Sequence, residues 1–290
     1  MSAEAGSGPP DQGPLAIICG AGTLPFAVAD TVRARGREVV MFALRGWADP
    51  QRVAAYRHYW GALGQFGWVC RQARAEGCRD IVFIGTIARP PLWRLRFDWG
   101  TLRILPRVAA AYRGGDNHLL SSVARAFEQQ GFRLVGAHEV APEILMPAGV
   151  VSKRQPNAQE RADMAQALRL LEAIGKFDVG QAAVVAGNHV LAIEGVEGTD
   201  QMLERVAEMR TRQLGGTGGV LVKAPKPGQD WRFDLPSIGP LTIEGAARAG
   251  LAGVAVLARA SIVAEPQRIT ALADAHNIFV VGVNADGSLG

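Results

Sequence analysis

The densest group of chemically capable side chains lies in the stretch from Lys223 to Gly239, where Lys223, Lys226, Asp230, Arg232 and Asp234 fall within twelve residues. Cations of this kind neutralise phosphate oxygens. A carboxylate beside them can hold Mg²⁺ or orient a water, and together the two kinds of group supply what hydrolysis at phosphorus needs. Prolines at 225, 227 and 236 forbid a continuous helix. In an extended segment, period two would put Asp230, Arg232 and Asp234 on one face and Trp231, Phe233 and Leu235 on the other. A solvated loop with surface ion pairs is the competing reading.

A second acidic group, Glu194-Gly-Val-Glu197-Gly-Thr199-Asp200, sits on a glycine-rich turn. Its carboxylates suit a hard cation, which prefers oxygen ligands. They also suit a helix running to about Arg210, capped by Thr199 or Asp200, with acids complementing its dipole. In the first half of the chain, the apolar run Leu15 to Cys19 meets Gly20-Ala-Gly22-Thr23-Leu24-Pro25, a pattern of strand, glycine turn and helix. Glycines there let backbone N–H groups approach an anion, and Pro25 suits the first turn of a helix. A dinucleotide fingerprint would need a third glycine where Pro25 stands and an acidic residue where the second strand ends in Arg45. Arg45 facing a 2′-phosphate would make the protein an NADP-linked oxidoreductase.

Further along, Gly85-Thr86 follows a third strand, and Gly115-Asp116 precedes a helical pattern that Asp116 is suited to cap. Between them, large apolar residues alternate with arginines from Pro91 to Trp99. That stretch suits an amphiphilic ligand, or it is a helix packing Leu92, Leu95 and Trp99 on the core with its arginines solvated. His138 lacks the second histidine of a zinc-protease motif, and His189 flanks a turn at Gly187-Asn188. Gly180-Gln181 opens the first of two apolar runs around that turn.

Strands at 15–19, 39–44 and 80–85 alternate with helical patterns, which gives a parallel sheet in a doubly wound domain with ligands beyond the strands' carboxyl ends. The chain of 290 residues suggests two domains. We expect an unstructured tail over 1–14, a Rossmann-like domain over 15–150, a polar linker over 151–159 and an α/β domain over 160–290. Thirty-one basic residues against twenty-seven acidic ones give a net charge of +4, which suits a small anion better than nucleic acid. Three cysteines without a CxxC pair argue against a disulfide framework or a zinc site, and fit a reducing cytoplasm. Mean hydropathy is +0.09, yet no apolar run approaches the roughly 18 residues of a membrane span.

Taken in order, these motifs resemble one family, the LpxI-type UDP-2,3-diacylglucosamine pyrophosphatases of lipid A biosynthesis. The resemblance rests on Gly20-x-Gly22-x-Leu24-Pro25, Arg45 through Ala48-Asp49-Pro50, Gly85-x-x-x-Arg89-Pro90, Gly115-Asp116, Gly136-Ala-His138-Glu139, Asp178-x-Gly180-Gln181, Glu197-Gly-Thr199-Asp200 and Lys223-Ala-Pro-Lys226-Pro-x-Gln229-x-x-Arg232-x-Asp234-Leu-Pro236-x-Ile238-Gly239. It implies a Rossmann-like domain and a second α/β domain with the ligand cleft between them. It implies Mg²⁺-dependent hydrolysis to UMP and 2,3-diacylglucosamine 1-phosphate, with the essential aspartate at Asp234. Combined with the residue chemistry, it assigns metal and water to Asp234 with Asp230, Glu197 and Asp200, and pyrophosphate charge to Lys223, Lys226 and Arg232. Substrate contacts then fall to Gly22, Thr23, Leu24, Pro25, Gly85, Thr86, Gly115, Asp116, Gly180 and Gln181. A cytoplasmic homodimer touching the inner membrane surface is the expected setting. A nucleotide-sugar binding module without chemistry is the alternative class.

Overall fold

Leu15–Cys19 (β1), Val39–Leu44 (β2) and Asp80–Ile84 (β4) are almost wholly apolar and almost wholly buried, as strands of a parallel sheet covered on both faces must be. The computed structural model describes residues 13–87, 96–104, 116–177, 179–214, 216–233 and 235–289. It divides into two units, Met1–Ala141 and Pro142–Gly290.

In the first unit, Arg57–Gly61 (β3) and Arg133–Leu134 (β5) complete a five-stranded sheet in the order β3-β2-β1-β4-β5, every pairing parallel. The helices Leu24–Ala34 (α1), Pro50–Val53 (α2), Phe66–Ala75 (α3), Asp116–Gln129 (α4) and Ala137–Val140 (α5) connect or follow these strands. The chain runs outward from β1 to β3 and then returns to β4 on the other side of β1. The carboxyl ends of β1 and β4 therefore flank the reversal point where doubly wound sheets collect ligands.

The loops leaving those two ends are zipped together. Ala21 N–H donates to Thr86 O at 2.9 Å, and Thr86 N–H donates back to Ala21 O at 3.0 Å. The contact needs glycine on both sides: a Cβ on Gly20 would lie 2.8 Å from Thr86 O, and Gly85, at φ +101°, would put one 2.7 Å from Ala21 O. Gly85→Ala combines that clash with left-handed backbone and is expected to destabilise this unit by about 2 kcal/mol or more. A urea midpoint equal to wild type would show that the turns part without cost.

At the opposite, amino end of the strands, Asp80 is buried between two arginines. Arg37 Nη2 reaches it at 2.7 Å, Arg133 Nε at 2.8 Å and Arg133 Nη2 at 3.0 Å. Cys19, Cys70 and Cys78 are buried free thiols. Burial pushes the first two up to about 12 and Cys78 to about 11, so none is a ready nucleophile.

The second unit is a six-stranded mixed sheet in the order β6-β13-β11-β9-β7-β8. Its strands are Gly149–Val150 (β6), Ala182–Ala186 (β7), His189–Ile193 (β8), Val220–Lys223 (β9), Gly253–Leu257 (β11) and Phe279–Val283 (β13), of which β9, β11 and β13 run parallel. Ser237–Ile238 (β10) and Ile262–Val263 (β12) form a separate parallel pair. Helix Ala158–Gly175 (α6) belongs to a cluster with Ala183, Val185, Val220, Val222 and Phe279. Helices Thr199–Met209 (α7), Pro240–Arg248 (α8) and Pro266–Ala275 (α9) pack with Val184, Leu221, Val254 and Val280. Alternate residues of the same strands thus feed two cores, one on each face of the sheet.

The boundary lies earlier than the polar stretch 151–159 suggested. Gly149–Val150 already pairs with β13, and Ser152 Oγ accepts Val280 N–H at 2.8 Å. Asn157 caps α6, exchanging hydrogen bonds of 2.8 and 2.9 Å with Glu160, whose carboxylate also holds Arg154 at 2.6 Å. These polar residues are tied into the second unit and do not form a linker. Among the described residues, no helix is long and apolar enough to cross a membrane.

Candidate functional site

Val220-Leu221-Val222 carries β9 through the second core and ends in Lys223, so a charged side chain stands at the carboxyl end of a buried strand. Lys223 is itself buried. Its Nζ donates to Thr199 Oγ1 at 2.9 Å and to Ser237 O at 3.0 Å. Thr199, the first residue of α7, donates its own hydroxyl to Glu194 Oε1 at 2.6 Å. Glu194 is buried just past the end of β8, and its other oxygen accepts the Gln181 N–H at 2.7 Å. The threonine hydroxyl is therefore oriented from one side by the carboxylate and offers its lone pairs to the ammonium on the other. Such chained hydrogen bonds, partly shielded from solvent, are stronger than the same pairs in bulk water.

The backbone around this relay is equally constrained. Gly180 N–H donates to Glu194 O at 3.0 Å, and Ala224 N–H donates to Gln181 O at 3.0 Å. A Cβ on Gly180 would sit 2.3 Å from Glu194 O, so only glycine allows the approach. Within this setting Gln181 Oε1 is buried and finds no hydrogen-bond partner among the described residues. An orphaned buried amide oxygen costs about 1–3 kcal/mol and is uncommon in folded proteins.

The following loop is turned and not extended. Gln229 N–H donates to Lys226 O at 3.2 Å, the Gln229 side chain accepts Lys226 N–H at 2.9 Å, and Phe233 N–H closes on Asp230 O at 3.0 Å. Asp230 and Arg232 meet as a chelate: Nε to Oδ1 at 3.0 Å and Nη2 to Oδ2 at 2.7 Å, with the arginine backbone N–H adding a third bond at 3.1 Å. The strand-like alternation read from the sequence is thus replaced by a tight turn that pairs residues two apart. The guanidinium also lies 5.2 Å from the Phe233 ring centroid. Asp234 lies outside the described residues.

Of the other acidic candidates, Glu197 turns to Arg205 at 2.7 Å. Hydrogen bonds from its own backbone and from Arg205 hold its carboxyl below the usual range. Asp200 is exposed in the first turn of α7, which Gly198 begins in place of the expected Thr199 or Asp200 cap. Among the described residues no three of His, Cys, Asp and Glu come together as a metal site. Glu194, Glu197 and Asp230 already hold hydrogen-bond donors, so these carboxylates do not by themselves make a cation site.

In the first unit, Gly22 at φ +100° has open space where a side chain would stand, and Thr23 stands at the N-cap of α1 without a side-chain cap bond, followed by Leu24 and Pro25 in the first turn. Gly85 and Thr86 form the zipped turn already described. Arg45 lies with its guanidinium 6.0 Å from the Trp60 ring centroid. Gly115 falls outside the described residues, and Asp116 opens α4 with its side chain outside them. Sequence reasoning singled out Lys223 and Gln181, and it grouped Glu194 with Glu197 and Asp200 as carboxylates for a cation; in the structure Glu194 instead joins Gln181 to Thr199. The difference between the three acids is positional: Glu194 directly follows the last residue of β8, much as Lys223 ends β9.

A Rossmann-like parallel domain followed by a mixed α/β domain, with a buried lysine relay at a strand end and a basic proline-rich loop after it, defines a two-domain α/β protein. Residues 14–144 match the LpxI N-terminal domain and residues 147–281 the LpxI C-terminal domain. The chain is 42% identical over 276 residues to the UDP-2,3-diacylglucosamine pyrophosphatase LpxI of Caulobacter vibrioides, covering 93% of this chain and 97% of that one. The chain belongs to the LpxI family.

Proposed function

We propose that this enzyme hydrolyses the pyrophosphate bond of UDP-2,3-diacylglucosamine, releasing UMP and 2,3-diacylglucosamine 1-phosphate for lipid A biosynthesis. Water adds to the phosphorus on the sugar side, the bond from that phosphorus to the bridging oxygen breaks, and the bridging oxygen leaves with UMP. The observation that carries this reading is the buried Lys223, fixed by Thr199 and Ser237 at the carboxyl end of β9. A cation fixed there in advance meets a pyrophosphate oxygen with little reorganisation, which is how preformed charge lowers a barrier. Lys226 and Arg232 follow on the same loop and add positive charge. The chelate to Asp230 fixes the plane of the Arg232 guanidinium. Gln181 Oε1 is suited to accept a hydrogen bond from a substrate hydroxyl or N–H.

Mg²⁺ is the expected cofactor, supplying charge neutralisation on the pyrophosphate when bound. UMP release is expected with Mg²⁺, to be lost in EDTA and to return when Mg²⁺ is restored. In ¹⁸O-water the label should appear in the sugar phosphate. A binding module or an NADP-linked oxidoreductase would release no UMP under any condition, and label in UMP would place the attack on the other phosphorus.

A further inference from the structure

Residues 96–104 hold a set of exposed side chains away from the Lys223 relay in sequence and in the other unit. Trp99 is 82% exposed, Leu102 44% and Phe97 43%, and the arginines at 96 and 103 are exposed as well. The expectation that Trp99 packs on the core is overturned, because the helix begins at Trp99 and turns Thr101 inward in its place. On a helix, 99, 102 and 103 share a face, and 101 lies opposite.

The exposure is built in. Asp98 accepts hydrogen bonds from Gly67 N–H at 3.2 Å, Trp68 N–H at 2.6 Å, Thr101 N–H at 2.8 Å and Thr101 Oγ1 at 2.9 Å. The buried Thr101 hydroxyl oxygen takes Phe66 N–H at 3.0 Å. Gly100 approaches so closely that a Cβ there would stand 2.5 Å from Gly67 Cα. One carboxylate and two glycines therefore pin this backbone against the start of α3 while its aromatic and basic side chains face outward. Asp98, the single acid between Arg89 and Arg107, is spent on backbone amides, whereas five arginines fall in the same interval. Burial alone would raise the Asp98 carboxyl, but its hydrogen bonds outweigh that and hold it below the ordinary value.

We propose that Phe97, Trp99 and Leu102, flanked by Arg96 and Arg103, form a contact ridge for an anionic phospholipid bilayer surface. Tryptophan settles at headgroup depth, shallow apolar side chains enter the acyl boundary, and the arginines pair with lipid phosphates. A second copy of the chain is disfavoured as the occupant, because a two-fold contact through this ridge would set its arginines against their own counterparts.

Co-sedimentation of the full chain with phosphatidylglycerol–phosphatidylcholine vesicles, against phosphatidylcholine alone, tests the ridge without substrate. Its outcome is independent of the proposed hydrolysis. Wild type is expected to bind the anionic vesicles more tightly and to be released by salt. Arg96→Gln with Arg103→Gln should lower partitioning about 30-fold, at roughly one kcal/mol per arginine. Trp99→Ser with Leu102→Ser should lower it about ten-fold or more. As a second measurement, brominated phosphatidylcholine in the vesicles should quench part of the wild-type fluorescence but not that part in Trp99→Phe. Failure of wild type to bind, equal binding by the variants, or a dimer that these substitutions dissolve in the absence of vesicles would overturn the proposal.

Discussion

Lys223→Met is expected to lower kcat/KM for UMP release by about 10²- to 10³-fold, the range seen when one preorganised donor is removed from a developing anion. Methionine keeps the length and apolar stem of lysine, so the packing of β9 is preserved while the charge is deleted. Thr199 Oγ1 and Ser237 O both lose their donor, but both lie at the mouth of a strand where a water can replace it. Thr199→Val tests the same relay one step away. Lys223 loses one of its acceptors and Glu194 loses the 2.6 Å hydroxyl, yet the ammonium remains. A smaller loss, on the order of ten-fold, follows, falling on kcat more than on KM because the lysine is mispositioned and not removed. Activity of Lys223→Met within about three-fold of wild type would remove the lysine from the charge-stabilising role.

The contrast between Glu194, Glu197 and Asp200 shows where sequence reading stops. Three carboxylates within seven residues look equivalent as letters. Burial separates them: Glu194 sits inside the relay, Glu197 turns to Arg205 and Asp200 faces water. The same limit applies to Asp230 and Arg232, whose pairing comes from a turn that residue types at period two could not anticipate. What was legible follows from strong local patterns. The bounds of β1 and β2 are legible to the residue because fully apolar runs end sharply there, at Pro14 and Gly20 for β1 and at Glu38 and Arg45 for β2. The β3 segment, Arg-His-Tyr-Trp-Gly, carries no such run, and its place at the sheet edge is set by pairing with β2 and by Tyr59 stacking on Phe42 at 5.7 Å. Polar residues between 151 and 159 read as a linker because their hydrogen-bond partners, Val280 and Ala252 among them, lie about a hundred residues away in the chain.

Asp80→Asn is expected to destabilise the first unit by about 3 kcal/mol, at the lower end for breaking a buried ion pair. Arg133 is largely solvated and absorbs part of the loss, but Arg37 is mostly covered. Asparagine keeps the volume and one acceptor while ending the charge that two guanidiniums share. Burial alone would raise the Asp80 carboxyl; hydrogen bonds from Arg133 and Arg37, with their charges, outweigh it and hold the group below its ordinary value of 3.8. A folded-state value below the unfolded one means that the stabilisation is complete above the unfolded value and is lost as pH falls through the folded value. Wild type should therefore lose stability faster than Asp80→Asn on acidification below about pH 5, the two converging as Asp80 protonates in both states. Urea unfolding followed by tryptophan fluorescence reads this unit selectively, since Trp47, Trp60, Trp68, Trp93 and Trp99 precede Ala141 and only Trp231 follows it. A neutral-pH difference under about 1 kcal/mol, or parallel pH profiles for the two proteins, would mean that the arginines at this end of the sheet are held by solvent and not by Asp80.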